Sequence, residues 1–180
     1  IEHPSQALAD LLTIKEYFER FNGITIAFVG DGNNVATSLS IVCASVGADF
    51  ILSCPSGYEI QHDLWLEAQK RASITGSKLE IINDPKSAVS NADVIYTDVW
   101  ISMGQEDETK NRIEKFSQYQ VNPELMSLSN KNAIFMHDMP VHYGEEVPKN
   151  MLSSSQSVAY KQAFNRLPAQ QAILEYIYKG

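Results

Sequence analysis

Cysteine is scarce in this chain, with only Cys43 and Cys54 among 180 residues. They are too far apart for a Cys-x-x-Cys motif and have no secretory context, so buried reduced thiols and a cytoplasmic location are expected. Basic residues are also in short supply. Fourteen Lys and Arg face 22 Asp and Glu, a formal charge of -8, which opposes a nucleic-acid or anionic-membrane surface, and neither partner is expected. No apolar run approaches the roughly 20 residues that span a bilayer. The start, Ile1-Glu2-His3-Pro4, has neither the basic nor the apolar region of a signal peptide. It also lacks a methionine, as expected of an excised or processed piece of a longer protein.

What the chain does contain is an ordinary globular composition, 44% hydrophobic and 20% charged, excluding a disordered segment. Its length suits a single domain over residues 1–180. Pro4 suits a first helical turn, and Ala7, Leu8, Leu11, Leu12, Ile14 and Phe18 follow at helical spacing until Asn22-Gly23. Short apolar runs predict strands over Ile24 to Val29, Asp49 to Leu52, Leu79 to Ile82, Val94 to Thr97 and Ala133 to Met136. Between them, Val35 to Val46, Asp63 to Thr75 and Lys86 to Val89 read as helices. Later helices are expected over Arg112 to Tyr119, Asn122 to Leu128 and Leu167 to Tyr178. Strands alternating with helices imply βαβ units, hence a doubly wound, Rossmann-like α/β fold: a parallel sheet of about five strands with helices on both faces.

The run Thr97-Asp98-Val99-Trp100-Ile101-Ser102-Met103-Gly104-Gln105-Glu106 follows the fourth strand, at the carboxyl end where open α/β sheets bind ligands. Asp98 can salt-bridge an ammonium and Ser102 can donate to a carboxylate, which suits an amino acid. Equally, Asp98 could cap a following helix while Trp100 and Met103 pack. Gly30-Asp31-Gly32-Asn33-Asn34-Val35 supplies two glycines of a dinucleotide fingerprint, but Val35 takes the place of the third. Leu52-Ser53-Cys54 stands where the ribose-binding acid belongs. A nicotinamide cofactor is the weaker reading, and a turn using Asn33 or Asn34 in a left-handed conformation is the structural alternative. His137, Asp138 and His142 have metal-ligand chemistry, but all three fall on one turn without a remote fourth ligand.

The 97–106 run resembles the Thr-Asp-x-Trp-x-Ser-Met-Gly-Gln-Glu signature of ornithine carbamoyltransferases. Three further stretches follow in that family's order: His3-Pro4-Ser5-Gln6 with the helix after it, Gly30-Asp31-Gly32-Asn33-Asn34, and His137-Asp138-Met139-Pro140 with Gly144-Glu145-Glu146-Val147. Asn165-Arg166 is then expected to open the last helix. The resemblance implies transfer of the carbamoyl group of carbamoyl phosphate to the δ-amine of L-ornithine, without metal or cofactor, in a full-length homotrimer or higher homo-oligomer. It implies that Asn34, Asp98, Ser102, Met103 and Met139 hold ornithine. His3 and Gln6 would reach the carbonyl and amide of carbamoyl phosphate, with Arg166 on its phosphate or carbonyl oxygen. Asp138 replaces the family's cysteine beside the reacting amine, and Met139 its leucine, so another amine, such as putrescine or an acylated ornithine, is an alternative substrate. A non-catalytic amino-acid-binding domain is the alternative from another class. The family's Ser-x-Arg-Thr-Arg phosphate loop does not occur, since Arg20, Arg71, Arg112 and Arg166 are the only arginines. The sequence is therefore expected to be the ornithine-binding half alone, inactive in isolation, without the preceding carbamoyl-phosphate-binding domain.

Overall fold

A computed structural model describes residues 2–101 and 106–179. Five parallel strands, β1 (Thr25–Val29), β2 (Asp49–Ser53), β3 (Leu79–Ile82), β4 (Val94–Thr97) and β5 (Ile134–His137), are ordered β3-β2-β1-β4-β5. The order reverses between β1 and β4, which opens a crevice at their carboxyl ends. All four residues of β4 are buried, and alternate positions feed opposite layers. Ile26 and Phe28 join Val94 and Tyr96 in one core, while Ala27 and Val29 join Ile95 and Phe135 in the other. This two-sided burial makes the strands apolar throughout instead of alternating.

The first layer is covered by α1 (Pro4–Phe18) and α2 (Asn34–Val46), through Ile14, Leu39 and Cys43, with α3 (His62–Thr75) beyond. The second is covered by α4 (Pro85–Val89), α5 (Thr109–Phe116) and α6 (Pro123–Met126), through Val89, Phe116, Leu125 and Met126. Cys43 and Cys54 are both free and buried. Among the described residues no helix is long and apolar enough to cross a membrane.

The last helix departs from the sequence expectation. Helix α7 runs over Ala159–Lys179 with Pro168 inside it, so it begins well before Leu167, and Asn165-Arg166 lies within it and does not open it. Its buried face is made by Ala159, Gln162, Asn165 and Ala169, a helical spacing filled by small and polar side chains, which carries no apolar period to read. The helix expected over Arg112 to Tyr119 begins earlier and tightens into a 3-10 turn at Ser117–Tyr119.

Helix α7 packs against α1, but beyond Ala169 it stands clear of the sheet. Leu174, Tyr176 and Ile177 are 53%, 79% and 65% exposed, and Leu8, Leu12, Ile173 and Tyr176 border an apolar groove between the two helices. Amides after Ala169 are expected to exchange with deuterium at least about 100-fold faster than those of β1 and β4, because little burial opposes local opening. Equal protection along α7 in a monomeric sample would contradict this.

Candidate active site

The carboxyl ends of β4 and β5 and the amino termini of α1 and α2 converge at the crevice. A cleft of about 330 Å³ is lined by residues that include His3, Asn34, Asp98, Asp138, Met139 and His142. Asp98 leaves β4 at its carboxyl end and caps no helix, since residues 99–101 after it are not helical. Its Oδ1 accepts from Val99 N at 2.7 Å and its Oδ2 from Asn33 Nδ2 at 2.7 Å. Asn33 is itself fixed. Its Oδ1 accepts from the backbone N–H groups of Val35 and Ala36, so the side chain caps α2 and cannot turn its amide round. The φ of Asn33 is -75°, so the turn uses no left-handed asparagine there.

Gly32 serves a different purpose from a dinucleotide glycine. A Cβ on it would stand 2.4 Å from Ile60 N and 2.7 Å from Tyr58 O, and its N–H donates to Tyr58 O at 2.8 Å. The backbone of residues 58–60 lies where any side chain at 32 would stand, so this glycine permits a close contact between two loops.

The turn after β5 supplies the other wall. His137 is fully buried. Its Nδ1 accepts from Met139 N at 2.8 Å, its Nε2 lies 3.3 Å from Glu146 Oε1, and its backbone N–H donates to Gln162 Oε1 at 2.9 Å. Met139 has φ +58°, an unusual conformation for a non-glycine residue, held by that bond while Met139 lines the cleft. His142 separates from His137 and Asp138 and groups with Glu145 and Glu146. Burial pushes Asp138 up to about 10, and the charge of Asp98 adds to it.

His3 precedes α1 and its backbone N–H donates to Ser38 Oγ at 2.7 Å. Burial lowers its pKa, Arg166 lowers it further and Asp98 opposes them, so its ring is a neutral hydrogen-bonding group at neutral pH. Gln6 is buried, its Nε2 donates to Asp10 Oδ1 at 2.8 Å, and its Oε1 has no partner among the described residues. Arg166 is half-buried on α7 and makes no salt bridge among the described residues, yet its charge reaches His3 and Asp10. Neither Gln6 nor Arg166 lines the cleft. Ser102 and Met103 lie outside the described residues.

Two supporting groups gave no signal as site residues. Arg112, 5% exposed, bonds Asp31 Oδ2 at 2.6 Å, Glu108 Oε2 at 3.1 Å and Trp100 O at 2.9 Å, and lies over the Tyr58 ring at 4.9 Å. It ties the segment after Asp98 to the loop after β1. The only hint was the Glu108/Arg112 pair at i,i+4. Asp10, on α1, accepts from Gln6 and Gln162 on one oxygen and from Tyr96 on the other, joining α1, β4 and α7.

Burial pushes the Asp10 carboxyl up to about 7, against the hydrogen bonds of Gln6, Gln162 and Tyr96 and the charge of Arg166. A raised carboxyl binds its proton more tightly in the folded state, so stability is greatest below the unfolded value and falls until pH passes the folded one. Between pH 5 and pH 8 Asp10 is expected to remove roughly 2–3 kcal/mol. Urea denaturation at both pH values should show that decline in the unaltered chain and a smaller one in Asp10→Asn. Identical declines would refute it.

An open, doubly wound sheet with an acidic cleft at its switch point defines a ligand-binding domain of the Rossmann-like α/β class. Residues 22–177 match the family model described as "Aspartate/ornithine carbamoyltransferase, Asp/Orn binding domain", and the chain belongs to that family. It is 51% identical over 174 residues to the ornithine carbamoyltransferase of Methanopyrus kandleri, covering 97% of this chain and 55% of that one. The ornithine carbamoyltransferase structure from Pyrococcus furiosus superposes with a TM-score of 0.93 at 45% identity, covering 97% of this chain and 56% of that one. An acetylornithine transcarbamylase complexed with acetylcitrulline superposes at 0.86 with 27% identity, covering 96% and 55%. The chain thus spans little more than half the length of these relatives.

Proposed function

We propose that this chain is the ornithine-binding half of an ornithine carbamoyltransferase. The observation that carries the reading is the convergence of Asn34, Asp98, Asp138 and Met139 on one cleft with His3 at its edge, together with the family match. Asp98 pairs with the α-ammonium of ornithine, Asn34 and Ser102 hold its carboxylate end, and Met103 lines the loop. The δ-nitrogen, uncharged, then attacks the carbonyl carbon of carbamoyl phosphate. A C–N bond forms, the bond from carbon to the phosphate oxygen breaks, and the nitrogen gives up a proton, yielding citrulline and phosphate. His3, neutral, donates to the carbonyl oxygen as it gains negative charge, with Gln6 and Arg166 near the carbamoyl end. Positioning supplies most of the rate and no covalent enzyme intermediate is needed. An acylated ornithine is the second reading, favoured by the acetylornithine relative and by Asp138, but the ornithine enzymes above share far more of this sequence.

Calorimetry on this chain should show heat with L-ornithine and little with carbamoyl phosphate, since no Ser-x-Arg-Thr-Arg loop is present to cradle a phosphate. The protein containing the remaining length of its relatives should form citrulline, while this chain alone should not. Turnover by this chain near about 10 per second, an ordinary enzyme rate, would refute the half-enzyme reading. Preference of the longer protein for acetylornithine would replace ornithine as the substrate.

A further inference from the structure

The turn after β5 holds more acid than its surroundings balance. One oxygen of Asp98, one of Asp138 and a ring nitrogen of His137 lie within 4.8 Å of one another. Each oxygen of Asp98 already has a donor. Asp138, whose side chain is 11% exposed, has its Oδ1 enclosed with no hydrogen-bond partner among the described residues.

Among the described residues, the groups facing Asp138 offer it no positive charge. His137 Nδ1 is 3.6 Å from Asp138 Oδ1, but its lone pair already accepts from Met139 N, so that nitrogen bears no proton to give. The other ring nitrogen is turned to Glu146. From β4 comes Tyr96, and from α1 comes Asp10, which adds negative charge. Arg166 of α7 acts on Asp10 and His3, and His142, in the same cleft, lies 3.8 Å from Glu145. Among the described residues none of these cations forms an ion pair with Asp138, apart from the unprotonated side of His137. Neighbouring carboxylates in a poorly hydrated site resist joint ionisation, and a hydrogen bond between them requires a proton.

We propose that Asp98 and Asp138 hold one proton between them in the empty cleft, so that it presents a single negative charge, takes one ammonium group, and meets a second nitrogen with a neutral carboxyl. The inference rests on reading the cleft as an ornithine site. It deepens that reading, because the α-ammonium is balanced by the pair while the δ-nitrogen, which must be uncharged to attack, is not held as an ammonium by a second carboxylate. The direction of the Asp138 titration given above agrees with this arrangement.

The test is a titration of carboxyl carbons by NMR on the ¹³C-labelled chain from pH 5 to pH 11, without ligand. The Asp138 carbon should remain at its protonated position at pH 8 and change near pH 10. That signal should vanish in Asp138→Asn, or in Asp138→Cys if the first variant does not fold. Asp98→Asn should move its midpoint down by about one pH unit or more, because a neighbouring charge is removed. Every Asp and Glu carboxyl ionised at pH 8 would overturn the proposal, as would a neutral carboxyl that persists in the Asp138 variants. Since no ligand is involved, a chain that shows the shared proton yet ignores ornithine keeps the acid pair and loses the functional reading.

Discussion

Arg112→Ala is expected to lower the unfolding free energy of this chain by about 3–5 kcal/mol, the usual cost of removing one partner from a buried ion pair. Asp31, also buried, would lose its 2.6 Å partner, Trp100 O would lose a donor, and the Tyr58 ring would lose the guanidinium that lies over it. Burial already pushes the Asp31 carboxyl up, with Arg112 pulling it back only in part, so the uncompensated acid would take up a proton as the pH is lowered. The deficit should therefore shrink in acid. Urea denaturation of both proteins at pH 5 and pH 8 measures it. A loss below about 1 kcal/mol, the range of exposed pairs, would mean that water replaces the guanidinium at little cost. Arg112→Lys should recover only part of the loss, because an ammonium cannot reproduce the fork that reaches Asp31, Glu108 and the Trp100 carbonyl together.

The second large effect belongs to binding. Asp98→Asn in the longer protein should raise the dissociation constant for ornithine about tenfold or more and leave carbamoyl phosphate nearly unchanged. A hydrogen bond to a charged partner is worth about 1.5–3 kcal/mol, and each 1.4 kcal/mol is a factor of ten. The local geometry sharpens the expectation. Asn33 is held by its cap on α2 and presents an amide donor to Asp98, and Val99 N–H approaches the other oxygen. An asparagine at 98 has one oxygen for two donors, so it also loosens the loop. Calorimetry with each substrate separates these consequences. Equal weakening of both would mean that Asp98 only shapes the loop and does not meet the ammonium.

The strands were legible because burial on both faces leaves short apolar runs bounded by polar turns, and β3 and β4 begin and end where Leu79, Ile82, Val94 and Thr97 place them. The placement of Asp98 at the carboxyl end of β4 was legible because the acid follows such a strand directly. What could not be read was polar. Helix α7 begins at Ala159, but Gln162 and Asn165 fill its buried face and hide its period. Asn33 was passed over for Asn34, since only three-dimensional proximity joins it to Asp98, 65 positions away. Arg112 resembled any surface arginine of a charged helix until Asp31, 81 positions distant, was seen against it. The protonation of Asp138 depends on what encloses it and on the side from which His137 presents its lone pair, and neither has any trace in a string of residue types.

The placement of His3 bears on how the protein is handled at the bench. Because this histidine lines the cleft and immediately precedes α1, an affinity tag or biosensor tether joined just ahead of it leaves from the rim of the cleft and crowds what enters. Lys179 lies thirteen positions beyond Arg166 on the same helix, or about 20 Å at 1.5 Å per residue, so an anchor there keeps the mouth of the cleft clear. Ornithine titrations on immobilised samples should use the second attachment.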